Sequence, residues 1–168
     1  MRVAISGTPG TGKTTACERL ETALDVVALN DLIREEGLTT GTDEKRDSLV
    51  ADLDRIADRF ADRDDVVVES HLAHHLDADR VVVLRCEPET LKQRLLDRGE
   101  SEPKAAENAE AEALDVILSE AVDRHGLGSV YEIDTTERTP ESVADEVEAV
   151  LGGESEPSAG TVDFTGHL

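Results

Sequence analysis

The chain has 168 residues, near the commonest size of one compact domain, and its 17 Lys and Arg stand against 39 Asp and Glu. The resulting net charge of −22 repels nucleic acid phosphates from most of the surface, which excludes a general DNA or RNA binder. No apolar run approaches the roughly 18 residues of a membrane span, the N-terminus lacks a signal-peptide pattern, and Cys17 and Cys86 are too few for a disulfide framework, so a cytoplasmic protein with two small buried thiols is expected.

In chain order, Arg2 to Ser6 reads as a short strand ending in a Gly-rich turn, and Thr14 to Leu24 as a helix with Ala16, Leu20 and Ala23 on one side. Val26 to Leu29 is a second strand, followed by Asn30 and Asp31, either able to cap a short helix from Leu32 to Glu36 that Gly37 stops. From Asp43 to Arg63, Leu49, Leu53, Ile56 and Phe60 recur at spacings of four, three and four, which predicts one helix with a buried stripe. Val66 to Val68 and Val81 to Leu84 are continuous β-branched runs, the pattern of strands covered on both faces of a parallel sheet. Pro88 suits the first turn of a helix that runs to Arg98 and ends at Gly99.

Pro103 to Arg124 predicts one long helix with Leu114, Ile117, Leu118 and Ala121 inward, and Val130 to Ile133 is the last strand. Thr139 and Pro140 provide a cap and first-turn proline for a final helix that buries Val143, Val147, Val150 and Leu151. Residues 152–168 read as a flexible tail. Five strands alternating with helices, joined by right-handed crossovers, give a three-layer α/β fold around a five-stranded parallel sheet.

Gly7-Thr8-Pro9-Gly10-Thr11-Gly12-Lys13-Thr14 matches G-x-x-x-x-G-K-[ST] at every required position, between a strand and a helix. Glycines such as Gly10 and Gly12 let backbone N–H groups converge on a phosphate, Lys13 supplies a full charge for the β- and γ-phosphates, and the Thr14 hydroxyl can bind Mg²⁺, so MgATP is the expected cofactor. Glu69 ends the third strand of the sheet, where such proteins place a carboxylate that holds Mg²⁺, although aspartate is commoner there. Arg94 and Arg98 share one helix face just before a polar segment, and two guanidinium groups there can grip phosphate when a lid closes. His71 and His75 stand four apart, a spacing that holds a metal on a helix; no third ligand is evident, and a local loop role is expected.

The charge carries a second reading. Only four of the basic residues are lysine and there is one Tyr, two Phe and no Trp, while the net charge lies far above the magnitude of about 2–8 suited to small soluble domains. This is the surface of a halophilic protein, because at 1 M salt the Debye length of about 3 Å screens carboxylate repulsion.

Together, Gly7 to Gly10, the segment Asn30 to Glu36, Glu69-Ser70-His71, Arg98-Gly99, Lys104 and Asn108 resemble the adenylate kinase isozyme 6, or Fap7-like, family over roughly residues 1–151. The resemblance implies a nucleoside monophosphate kinase fold in which residues 30–50, with Asn30 and Arg34, meet the monophosphate, and residues 97–107 form a short lid. It further implies that Arg94 lies near the ATP base and Arg98 near its phosphates, with Gly10, Gly12, Lys13, Thr14 and Thr15 around the phosphates and Lys13, Glu69, His71 and Arg98 in catalysis. Family members convert ATP and AMP to two ADP, hydrolyse ATP, and assist small-subunit ribosomal RNA maturation with a small-subunit ribosomal protein as partner. Two readings follow: a monophosphate kinase, and an ATPase assembly factor for the small ribosomal subunit whose kinase activity is incidental. Another small-molecule kinase on the same scaffold is a third. No membrane or direct DNA binding is expected.

Overall fold

A computed structural model describes residues 1–43 and 48–168 of the chain. Its elements are β1 (Arg2–Ser6), α1 (Lys13–Cys17), β2 (Asp25–Ala28), α2 (Leu29–Glu36), β3 (Thr39–Asp43), β4 (Ser48–Ala51) and α3 (Leu53–Phe60), then β5 (Val66–Glu69), β6 (Arg80–Arg85), α4 (Pro88–Asp97), α5 (Glu102–Ala113), α6 (Val116–His125), β7 (Val130–Asp134) and α7 (Pro140–Leu151). The main sheet is five-stranded and parallel, in the order β2-β5-β1-β6-β7. β1 is central, with Ala4 opposite Val68 of β5 and Val81 of β6.

The β-branched runs are buried on both faces because successive residues point to opposite sides. Val66, Val68, Val81 and Val83 pack with Leu29 and Ile33 of α2, Ile56 and Phe60 of α3, and Leu118 and Ala121 of α6. Val67, Val82 and Leu84 pack on the other face with Ala16 and Cys17 of α1 and Val143, Val147 and Val150 of α7. A smaller cluster of Cys86, Leu91, Leu95 and Ala105 ties α4 to α5. Both cysteines are buried free thiols, and burial pushes them up to about 12 for Cys17 and about 11 for Cys86.

Four helices and the C-terminal segment depart from the sequence expectations. The first helix ends at Cys17, and i→i+3 hydrogen bonds of 3.1 Å (Arg19 N–H to Ala16 O) and 3.2 Å (Leu20 N–H to Cys17 O) turn Leu20 and Leu24 onto the sheet face instead. The second helix begins at Leu29, whose buried side chain pairs at i+4 spacing with Ile33; Asn30 is inside the helix and caps nothing. The helix expected over residues 43–63 is an antiparallel hairpin of β3 and β4 followed by α3, which starts where Asp52 accepts the Arg55 N–H at 3.2 Å. Thr39, Thr40 and Thr42 favour strand there. Leu49 belongs to β4 and Leu53 is exposed, and the buried residues of α3 are Ile56 and Phe60. Residues 44–47, inside that expected helix and inside the 30–50 segment, lie outside the described residues.

The long helix expected from Pro103 breaks into α5 and α6 at Asp115, which has a left-handed φ of 55°. The break turns the Asp115 carboxylate onto Arg85 and leaves Leu114 exposed, while Leu118 and Ala121 stay inward as expected. Beyond α7, where composition reads as a flexible tail, Ser158 N–H donates to Val130 O at 3.1 Å and Thr161 N–H to Glu132 at 3.1 Å, and the Phe164 ring is buried. These residues cover the open edge of β7.

Candidate active site

The G-x-x-x-x-G-K-T segment connects β1 to α1 at the C-terminal end of the sheet's central strand, where chain connections diverge to either side. Gly7 has φ 145°, and a Cβ there would lie 2.6 Å from the Leu84 carbonyl oxygen, so the loop can leave the sheet only through glycine. Gly12 has φ 94° with nothing within 4 Å of a Cβ position, which leaves its backbone approachable by a ligand. Lys13 folds back over the loop and donates to Gly7 O at 2.7 Å and Thr8 O at 3.1 Å. Burial pushes its ammonium down to about 8, with the Glu69 carboxylate pulling the other way. Thr15 is exposed on the next turn, where its carbonyl accepts from Arg19 at 2.8 Å.

Glu69, at the end of β5 beside β1, is buried, and its carboxylate accepts the Thr14 hydroxyl at 3.0 Å. The extra methylene of glutamate reaches Thr14 directly. A hydroxyl and a carboxylate at this separation form an oxygen donor set that suits a hard cation such as Mg²⁺. His71, two residues on, is half-buried; burial pushes it down to about 4, helped by the nearby Lys13 charge, so it stays neutral. Ser70, between them, donates its hydroxyl to Asn30 Oδ1 at 2.8 Å, which moors α2 to the end of β5. Arg34 is exposed on that helix and pairs with Asp31 at 2.7 Å.

On the β6 side, Arg94 of α4 is partly buried and donates to Gly10 O at 3.3 Å, Thr135 O at 3.1 Å and Thr136 O at 3.2 Å. It fastens the phosphate loop to the loop after β7. Arg98 is exposed at the C-terminal end of α4, forms no ion pair with any described residue, and lies close enough to Lys13 to add to the lowering of its pKa. The structure thus brings Lys13, Thr14, Glu69 and His71 together, with Arg94 at the loop's flank and Arg34 on a separate helix.

Three features were invisible in the sequence. The Thr135 hydroxyl lies 2.9 Å from Thr11 O and 2.8 Å from Arg85 O, binding the phosphate loop to the ends of β6 and β7. Arg85, 1% exposed, is ringed by Glu112, Asp115 and Glu132, the last at 3.0 Å, with its guanidinium carbon 5.3 Å from the Phe164 ring centre. Burial pushes the Glu132 carboxyl up, against the pull of the Gly160 N–H and of Arg85. The acids of this ring are far from Arg85 in sequence, and no local spacing marks them. The third is the Ser70–Asn30 contact.

A glycine-rich phosphate loop between a central parallel strand and its helix, with a carboxylate at the neighbouring strand end, defines a P-loop NTPase fold. The chain belongs to the AAA domain family, whose model matches residues 3–115. It is 68% identical, over the full length of both chains, to a protein of Natronomonas pharaonis named "Putative adenylate kinase". Proteins of the same name in Halobacterium salinarum and Pyrococcus furiosus are 63% and 41% identical, the first over the whole of both chains and the second over 98% of this chain and 92% of its own. Among solved structures, a gluconokinase from Sinorhizobium meliloti 1021 superposes with a TM-score of 0.56 at 19% identity, covering 90% of this chain and 91% of that one, a likeness of fold. No helix among the described residues is long and apolar enough to cross a membrane.

Proposed function

We propose that this chain is a nucleoside monophosphate kinase of the adenylate type, which transfers the γ-phosphoryl group of ATP to AMP and releases two ADP. The observation that carries this reading is the Ser70–Asn30 hydrogen bond of 2.8 Å. It holds α2, with Arg34, beside Glu69 on the β5 side of the phosphate loop, while α4, with Arg94 and Arg98, follows β6 on the other side. A phosphate donor seated on the loop would therefore meet arginines from one side, and an acceptor monophosphate would meet Arg34 from the other. The names of the relatives agree with such a reaction.

In this reading the loop N–H groups after Gly10 and Gly12 cradle the β-phosphate, and Lys13 exchanges its two carbonyl partners for phosphate oxygens. Thr14 and Glu69 would hold Mg²⁺, which when bound supplies positive charge against the phosphate oxygens. Arg98, at the start of a lid over residues 97–107, swings onto the transferring group, where its charge is worth most once water is excluded. Asn30 and Arg34, in the monophosphate segment of residues 30–50, align the AMP phosphate for in-line attack, and neutral His71 orients the acceptor by hydrogen bonding. Catalysis is then positioning and charge neutralisation, with no covalent intermediate on the protein.

An ATP-dependent assay in molar KCl, with AMP, other monophosphates and water as rival acceptors, tests the reading. AMP should be the best acceptor, with two ADP formed per ATP consumed. ADP formation at an undiminished rate with water alone would favour instead the ATPase assembly factor, whose partner would be a small-subunit ribosomal protein attracted by the acidic surface.

A further inference from the structure

The histidines after β5 that sequence spacing offered as a metal pair are regrouped by the fold. The chain turns through a short 3₁₀ segment, Ala73–His75, with His71 within electrostatic reach of Lys13 and the imidazoles of His74 and His75 tilted by 36° with ring centres 4.2 Å apart. The missing third donor comes from α6: Glu120 Oε2 lies 2.6 Å from His74 Nε2 and 3.7 Å from His75 Nε2. One donor atom from each residue lies within 4.8 Å of the others.

We propose that His74, His75 and Glu120 form a binding site for a zinc-class divalent cation, separate from the phosphate loop and independent of the phosphoryl-transfer reading. Two imidazoles and a carboxylate are a donor set of borderline softness, which selects Zn²⁺ over the Mg²⁺ suited to Thr14 and Glu69. Tetrahedral zinc spaces such donors about 3.4 Å apart. His74 and Glu120 must therefore open by about 0.8 Å, and the widest pair must close by up to about 1.4 Å. The side chains that move can do so, because His75 and Glu120 are 33% and 46% exposed while His74 is 1% exposed and fixed. Solvent reaches the site from the same side, and a water can complete the fourth position.

Without a cation, His74 Nε2 donates its proton to Glu120 at 2.6 Å, and a bound cation would take that proton's place. Ser6 Oγ lies 2.7 Å from His74 Nδ1. With the proton on Nδ1 and donated to the Ser6 hydroxyl, Nε2 presents its lone pair to the cation, the usual way in which a neighbouring group fixes the imidazole tautomer. His125 Nε2 lies 2.7 Å from the His74 carbonyl oxygen, which holds the turn against α6. A bound cation would cross-link the segment that follows Glu69 to α6, directly behind the strand residue that precedes Gly7.

The test is equilibrium dialysis of the full chain against Zn²⁺ in molar KCl with excess Mg²⁺, so that the acidic surface is screened and occupied. One zinc per chain is expected, with the melting temperature raised by about 5–10 °C at a hundredfold excess over Kd. Co²⁺ in place of zinc should give the intense visible bands of a tetrahedral site. His75→Gln combined with Glu120→Gln, both at partly exposed positions, should fold normally by circular dichroism and bind zinc at least tenfold more weakly. Absence of zinc binding by the wild type, or equal zinc binding by the double variant, would overturn the proposal.

Discussion

The two flanks of the phosphate loop are built differently. On the β6 and β7 side, Arg94 donates to three carbonyl oxygens, the Thr135 hydroxyl lies between two more, and the buried Arg85 ring ties β6 to α5, α6 and β7. On the β5 side, α2 is moored to the strand end by Ser70 and Asn30, and its Arg34 and Asp31 are 66% and 64% exposed. Exposed pairs of that kind contribute about 0–1 kcal/mol, whereas removing one member of a buried set costs several. One flank is thus preorganised except for the exposed Arg98 at the end of α4, and the other keeps its charged Asp31 and Arg34 in water. That asymmetry suits a protein that holds one nucleotide on a fixed loop and closes over a second.

The phosphate loop, which both flanks share, is where a substitution has the largest effect. Lys13→Ala removes the only full charge in the loop, so phosphoryl transfer should fall by roughly 10³-fold or more with the far-ultraviolet circular dichroism spectrum unchanged. Activity within tenfold of wild type would dissociate the loop from the chemistry. On the preorganised flank, Arg85→Met leaves Glu112 and Glu132 buried without their cation and should cost about 3–5 kcal/mol in urea unfolding. Phe164→Ala, which strips the ring from Arg85 and uncovers the β7 edge, should cost less, about 2 kcal/mol by the same measurement. Salt sharpens the contrast more gently. Molar KCl should raise the melting temperature of the wild type and of Arg85→Met by similar increments, because it screens exposed carboxylates and leaves the buried ring untouched. A melting temperature indifferent to KCl would remove the halophilic reading of the surface.

What could be read from the sequence follows the same division between local and distant causes. The valine runs of β5 and β6, the phosphate loop, the Pro88 start of α4 and the Thr139 cap, which accepts the Ser142 N–H at 3.1 Å, are set by residues close in the chain. The break at Asp115 is not, because its cause is Arg85, 30 residues away. The 43–63 segment misleads since Leu49 falls in helical register with Leu53 while the chain there makes a hairpin. Glu120 completes the histidine cluster from 46 residues beyond His74, a distance no spacing rule spans. At the site, Lys13, Thr14, Glu69 and His71 were legible and lie together; Thr135 and Ser70, whose parts are to hold loops and helices in place, carry no motif.

The most direct measurement of the asymmetry is steady-state kinetics of Arg34→Ala beside the wild type, varying AMP and ATP in turn in molar KCl. The KM for AMP should rise about tenfold or more, the KM for ATP should stay within twofold, and stability should change by less than about 0.5 kcal/mol, since the lost pair is exposed. Equal increases in both KM values, or a rate of ADP formation in either protein that ignores AMP, would contradict a donor flank that is fixed and an acceptor flank that waits.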